Sequence, residues 1–172
     1  MINLFLNSCL SKGHFLKFIG IAALLCSLAA STAHAQGPEG KSFGFGIVLG
    51  TLDGASVKIW TAYDQAFVAD FGGSWFGPVR LQGDYLWHFN AFHSRIVKMY
   101  AGPGLAIAFG NAEYFDEGGA STVGIGARVM FGVNVIPVET PLEIYVGIGP
   151  LIGFVPAFGA GIDGEVGIRF YP

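Results

Sequence analysis

The chain has 172 residues, of which 52% are hydrophobic, 15% are aromatic and only 12% are charged, and its formal net charge is −3. This length fits a single domain, and the acidic balance excludes the basic surface that a nucleic-acid-binding protein needs. Both cysteines, Cys9 and Cys26, lie near the N-terminus, so the rest of the chain has neither a disulfide framework nor a cysteine metal site.

The N-terminal segment has the pattern of a secretory signal peptide. Lys12 and Lys17 precede the apolar run FIGIAALLCSLAA, which leads into the small-residue motif AHA. A positive region, an apolar region and a small-x-small motif predict export and cleavage between Ala35 and Gln36. The alternative is a retained membrane anchor, but the run is shorter than the ~20 residues that a spanning helix needs. We therefore predict that residues 1–35 are removed.

The remaining residues, 36–172, form the predicted domain and show no helical periodicity. Short segments in which apolar residues alternate with other residues follow one another, separated by Gly, Pro, Asn and Asp. The connections are short enough for hairpins, which favours an antiparallel up-and-down order. The predicted strands cover residues 42–50, 55–63, 66–75, 79–89, 96–110, 121–135, 142–154 and 162–171.

One segment, RLQGDYLWHF at residues 80–89, shows what alternates. Every second residue from Arg80 belongs to a set that contains Arg, Gln, Asp and His, and the intervening residues are Leu, Gly, Tyr, Trp and Phe. A strand directs alternate side chains to opposite faces, so the sheet has an ionic face and an apolar face. Over all segments the ionic face collects ten charges, which we predict to form one network: Lys58, Asp70, Arg80, Asp84, Lys98, Arg128, Glu143, Asp163, Glu165 and Arg169.

The distribution of small residues indicates which face is inside. Glycines share the ionic face, and small residues suit a narrow barrel, since eight strands leave room for little more than side chains. Large aromatic and branched residues occupy the other face and cluster at both strand ends, as the girdles of a transmembrane barrel do. A charge facing lipid near mid-bilayer costs ~2–4 kcal/mol, whereas charges of both signs inside can pair. The predicted fold is therefore all-β, an eight-stranded antiparallel up-and-down transmembrane β-barrel with the ionic face inside.

Four stretches carry a family resemblance: FGFGIVLGTLDGASVKIW, LQGDYLWHF, PLEIYVGIGPLIGFVP and GEVGIRFYP. They resemble a poorly characterised family of small bacterial outer-membrane β-barrel proteins, and the similarity covers nearly all of the predicted domain. The resemblance implies a barrel like the membrane domains of outer membrane proteins A and X, with both termini periplasmic. Such barrels usually end in an aromatic residue that the barrel-insertion machinery reads, whereas this chain ends Phe170-Tyr171-Pro172.

Two histidines follow the signal peptide, and both are weighed as catalytic candidates. His88 shares the ionic face with Asp84, an arrangement that resembles half of a catalytic dyad. His93 is followed immediately by Ser94, whereas outer-membrane lipid A deacylases place the two residue types two positions apart on one strand. Adjacent strand residues point to opposite faces, so we predict no catalytic residue. The acidic loop at residues 111–120 lacks the spacing of a calcium loop, and no metal or cofactor site is predicted.

The ionic network carries the functional prediction. Our first interpretation is a small outer-membrane barrel with a structural or surface-interaction role, whose interior is plugged by salt bridges that also fix the strand register. The predicted ion pairs, formed across neighbouring strands, join Arg80, Arg128 and Arg169 to Asp84, Glu143 and Glu165. The alternatives are a narrow channel for small solutes and, third, a lipid-modifying enzyme. The expected partners are outer-membrane lipid and the barrel-insertion machinery, and we expect a monomer with no cofactor and no bound nucleic acid.

Overall fold

The computed structural model describes residues 40–74, 77–110, 123–137, 139–155 and 158–172. The strands in this part of the chain are β1 (Phe43–Gly50), β2 (Leu52–Trp60), β3 (Gln65–Ser74), β4 (Gly77–Phe89), β5 (Val97–Phe109), β6 (Val123–Val135), β7 (Leu142–Val155) and β8 (Gly159–Phe170). Each pairs antiparallel with the next, and β8 pairs back to β1, which closes the barrel. The described residues include no helix that is long and apolar enough to cross a membrane.

Several predicted features fall outside the described residues. They are the signal peptide with its cleavage site at Ala35 and Gln36, the aromatic pair Trp75 and Phe76, and the acidic loop at residues 111–120. These features stay predictions.

The eight predicted strands are present, and the closed antiparallel barrel is confirmed. The prediction placed the start of β2 too late, because a tight turn at Gly50 lets pairing begin at Leu52. Gly50 has a φ of 139°, which favours glycine, and its N–H donates to Asp53 Oδ1 over 2.8 Å. The start of β8 was also predicted too late, because the glycine-rich GAG segment has a weak strand signature, although it pairs with β7 as far as Gly153↔Gly159.

The exterior and the interior of the barrel have opposite chemistry. Outward side chains are apolar, and Ile47, Phe71 and Ile148 each expose more than half of their surface (54%, 57% and 60%). The charged face is turned inward, where Lys58 and Glu143 expose at most 1%. A water-soluble barrel would bury the apolar face instead. An apolar exterior on a closed ladder, which leaves no free strand edge, is what a lipid-facing barrel requires.

Two prolines lie inside strands without ending them. Pro103 in β5 pairs with Val129, and Pro150 in β7 pairs with Ile162. Each proline interrupts the pairing of its strand with the other neighbouring strand, β4 for Pro103 and β6 for Pro150, since a proline has no N–H to donate. The β4–β5 register, for example, passes from Asp84↔Gly104 directly to Trp87↔Ala101. The register does not shift at either proline, and the shifts lie elsewhere, between Gly72 and Ser74 and between Ile125 and Gly126.

The interior also contains an apolar cluster. The alternation already places Leu86, Tyr100 and Tyr145 on the ionic face, and the structure packs them together there. Buried aliphatic and aromatic side chains pack together on the same face as the charges: Val48, Leu52, Val68, Leu86, Tyr100, Met130 and Tyr145. The lumen is therefore filled partly by hydrophobic packing and partly by ionic contacts.

Inward glycines let neighbouring strands and long side chains approach closely, and Gly102 gives the sharpest test. A Cβ at this position would overlap the carbonyl oxygen of Tyr85, a backbone atom that cannot turn away. We expect Gly102→Ala to lower the free energy of unfolding by ~1–3 kcal/mol, as overpacking does. Urea unfolding of the refolded barrel in detergent, followed by tryptophan fluorescence, measures this change.

The matched control is Gly164→Ala in β8, where a Cβ would meet no atom within 4 Å. The free energy of unfolding of this variant is expected to lie within ~0.5 kcal/mol of the wild-type value, as for most surface substitutions. Equal destabilisation by both alanines would contradict a close approach of the strands at Gly102.

Candidate functional site: the ionic interior

Nine of the ten charges predicted to form the network are buried in the barrel. The tenth, Lys98 in β5, is half-buried, with its Nζ 5.8 Å from the ring centre of Trp60 and 5.7 Å from that of Tyr63. Both rings lie at the end of the barrel where β1 begins and β8 ends, so Lys98 lies at that end of the lumen. The structure thus brings the charges of seven strands into one lumen.

Arg128 in β6 contacts three acids at once. Its Nε donates to Asp84 Oδ1 over 2.7 Å and its Nη2 donates to Asp84 Oδ2 over 2.6 Å, a bidentate pair. Nη1 donates to Asp163 over 3.0 Å, and Nη2 also reaches Glu165 over 3.1 Å. A planar guanidinium with five donors suits this arrangement, which a lysine cannot reproduce. Asp84 belongs to β4 and both other acids to β8, so Arg128 ties three strands together.

The predicted partner of Arg80 is wrong. Arg80 forms an ion pair with Asp163, in which Nη1 donates to Oδ1 over 3.1 Å and Nη2 donates to Oδ2. Asp84 pairs with Arg128 instead. The prediction of contacts between neighbouring strands also fails here, because β4 and β8 are far apart in strand order. The two side chains meet across the lumen, since β4 and β8 are on opposite sides of the closed barrel.

Glu143 in β7 is the centre of a second group of contacts. Lys58 Nζ in β2 donates to its Oε1 over 2.6 Å, and Asn134 Nδ2 donates to the same oxygen over 2.8 Å. The hydroxyl of Tyr171 donates to Oε2, and Arg169 Nη1 lies 3.8 Å from Oε2. The pair of Glu143 with Arg169, on adjacent strands, is the one predicted contact that does join neighbours.

Lys58 links Glu143 to His88. Lys58 Nζ lies 2.9 Å from His88 Nε2, and because an ammonium group only donates, Nε2 accepts and the ring proton is on Nδ1. Nδ1 then donates to the carbonyl of Asp64 over 3.3 Å. His88 therefore has Lys58 and a backbone carbonyl as partners, and the suspected dyad with Asp84 does not form.

Aromatic rings close the end of the lumen near the described termini. Trp60 packs against His88 with ring centres 4.4 Å apart, and its Nε1 donates to the Tyr171 hydroxyl over 3.1 Å. Tyr171 is fully buried, and a Cβ on Gly44 would strike its ring. Trp60 and Tyr171 each follow an inward charge, Lys58 and Arg169, by two residues, so the alternation in the sequence already carries the signal that they point inward.

Arg169 and Asp70 complete the buried set. Arg169 Nε donates to Ser56 over 2.9 Å, and its guanidinium lies 3.7 Å from the ring centre of Tyr145. Asp70 in β3 accepts from Gln82 Nε2 over 2.9 Å. Arg169 thus belongs with Glu143, whereas Gln82 Nε2, which lies 3.5 Å from Glu165 Oε2, places Asp70 beside the acids around Arg128.

The second histidine candidate lies outside the lumen. His93 is exposed in the turn between β4 and β5, where its φ is 51°. The hydroxyl of the next residue, Ser94, accepts from the backbone N–H groups of Ile96 and Val97. In the described ranges, no three or more His, Cys, Asp or Glu side chains are grouped so that they could hold a metal ion.

Comparison with known proteins adds one distant likeness. No protein-family model matches the chain, and no curated protein matches it. Among solved structures, the crystal structure of Neisserial surface protein A is similar, with 16% identity and a TM-score of 0.41 over 76% of this chain and 94% of that protein. A likeness at this distance transfers no function, and membership of the family suggested by the sequence stays a prediction.

Proposed function

We propose that this protein is an exported structural component of the bacterial outer membrane, a small barrel whose lumen is closed by its own side chains. The proposal rests on one observation above all: the ion pairs of Arg128 join β4, β6 and β8, which are not neighbours in the wall. Strands β4 and β8 lie on opposite sides of the closed barrel, so the ion pair of Arg80 with Asp163 crosses the lumen. An interior occupied in this way stabilises the barrel and opposes the passage of solutes.

The location follows from the exterior and from the N-terminal pattern. Apolar side chains cover the outward face, with Phe43 and Phe170 at the ends of β1 and β8. A predicted signal peptide precedes the barrel, and export together with an apolar barrel exterior favours the outer membrane. We include assembly by the barrel-insertion machinery and a monomeric state in the proposal, with Phe170 as the outward aromatic that ends the last strand.

Planar-bilayer recording tests the closed lumen. Protein purified from the outer-membrane fraction and reconstituted into a bilayer is expected to give no steady unitary current, because side chains from opposite walls meet across the lumen. Heat-modifiable gel migration of the same sample is the control, since it shows that folded barrel was present. Reproducible current steps of uniform size would contradict the proposal and favour a narrow solute channel.

A further inference from the structure

The charges buried in the barrel do not balance. Four are positive, namely Lys58, Arg80, Arg128 and Arg169, and five are negative, namely Asp70, Asp84, Glu143, Asp163 and Glu165. Lys98, the tenth charge, is half-buried at the end of the lumen beside Trp60 and Tyr63, so the interior as a whole has five positive and five negative charges. The imbalance among the fully buried groups is therefore local.

Asp70 is the buried acid that has no ion pair. Each of the other four acids has an ion pair with a lysine or arginine among the described residues, whereas Asp70 has none within 4 Å. Asp70 is 1% exposed, so bulk water does not reach its carboxylate. A buried carboxylate without a counter-ion is strongly unfavourable. Arg169 donates to Ser56, the residue opposite Asp70 in the β2–β3 register, and its guanidinium lies against Tyr145.

Two oxygen atoms at this position also lack a hydrogen-bond donor. Asp70 Oδ1 and Gln82 Oε1 are both buried without a partner in the described part of the protein. The two residues are directly opposite each other in the β3–β4 register, and Gln82 Nε2 bonds to the other carboxylate oxygen of Asp70. Gln82 Nε2 also lies 3.5 Å from Glu165 Oε2, so the amide is held between two carboxylates with its oxygen left unsatisfied.

We infer that Asp70 and Gln82 bind a monovalent metal cation inside the barrel. Carboxylate and amide oxygens are ligands that hard cations prefer, and one unit of positive charge offsets the unpaired carboxylate of Asp70. Asp70 Oδ1 and Gln82 Oε1 are the protein ligands. A site of one carboxylate and one amide has fewer negative ligands than the multi-carboxylate sites that calcium uses. Its single negative charge therefore suits a singly charged ion. This inference depends on the folded barrel and not on whether its role is structural.

Ion-specific thermal unfolding tests the site. The full protein, refolded in a neutral detergent, is melted in increasing sodium chloride, and in choline chloride at the same ionic strength. A bound ion that is absent from the unfolded chain raises the unfolding midpoint with the logarithm of its concentration, so the midpoint is expected to rise in sodium and not in choline. Parallel series in potassium chloride show which metal ion the site prefers. Equal midpoints in all three salts would overturn the inference.

Variants assign the effect to Asp70. Asp70→Asn removes the unpaired carboxylate and is expected to abolish the difference between sodium and choline. Asp53→Asn, at an exposed acid near the start of β2, is expected to leave that difference intact. If Asp70→Asn does not fold, Gln82→Met serves in its place, because it removes the amide oxygen. The sodium concentration that gives half of the rise in unfolding midpoint is then expected to increase about tenfold. The assignment of the sodium effect to this site would be overturned if Asp70→Asn folds and keeps the full effect, or if Gln82→Met, used in its place, keeps it.

Discussion

Arg128→Ala is expected to lower the free energy of unfolding by about 3–5 kcal/mol, the cost of removing one partner from a buried ion pair. Arg128 supplies four hydrogen bonds to Asp84, Asp163 and Glu165. Without it, Asp84 has no ion pair among the described residues, and Asp163 retains only Arg80. Such a loss is a large part of the ~5–15 kcal/mol by which domains are normally stable. Urea unfolding in detergent and the temperature of heat-modifiable gel conversion measure it.

Two further variants identify the cause of the effect. Arg95→Ala removes a charge from the exposed turn between β4 and β5 and is expected to change stability by less than ~0.5 kcal/mol. Arg128→Lys keeps the charge but loses the guanidinium fork, so its stability is expected to fall between those of the wild type and Arg128→Ala. An Arg128→Ala barrel as stable as the Arg95→Ala barrel would show that the ionic contacts in the lumen do not hold the strands together.

Ile148→Arg is expected to destabilise the barrel in lipid by about 2–4 kcal/mol, because it places a charge on the lipid-facing side near the middle of β7. Ile148 is 60% exposed, so the effect comes from the surroundings of the barrel and not from lost packing inside it. Urea unfolding of barrels folded into phospholipid vesicles measures the change. Ile148→Ala is the control for the missing side chain and is expected to have a smaller effect.

The depth of the substitution gives a second comparison. Phe43→Arg lies at the first residue of β1, and near the membrane interface the cost of an arginine falls to ~0–1 kcal/mol. A barrel that tolerates arginine equally well at Ile148 and Phe43, and that stays folded and monomeric without detergent, would be a water-soluble protein. That outcome would remove the membrane location while leaving the fold unchanged.

Strand number, order and facing could be predicted because they depend on local patterns. In β4, Arg80, Asp84 and His88 alternate with Leu81, Tyr85 and Trp87, and alternate side chains of a strand point to opposite faces whatever the rest of the chain does. Glycines on the ionic face then indicate which side is concave. Boundaries were less accurate at Leu52 and Gly159, because a positive-φ turn and a glycine-rich segment carry little strand signal.

The partners of the interior charges could not be predicted in the same way. The sequence places Arg80 and Asp84 on one face of β4, but it does not show which charges of the other strands lie opposite them. In the folded barrel Arg80 reaches Asp163, and Asp70 is left without a cation among the described residues. These choices depend on the relative register of all eight strands and on the reach of each side chain across the lumen.

By itself, then, the sequence determined a series of strands with charges on one face and apolar groups on the other. That much follows from a period of two residues, which is a property of each strand alone. Only the tertiary structure decided that Arg128 joins three acids, that Tyr171 fills one end of the lumen, and that Asp70 and Gln82 keep two oxygen atoms unpaired. The physical reason is that closing the barrel brings together side chains far apart in the chain, at distances that no single strand contains.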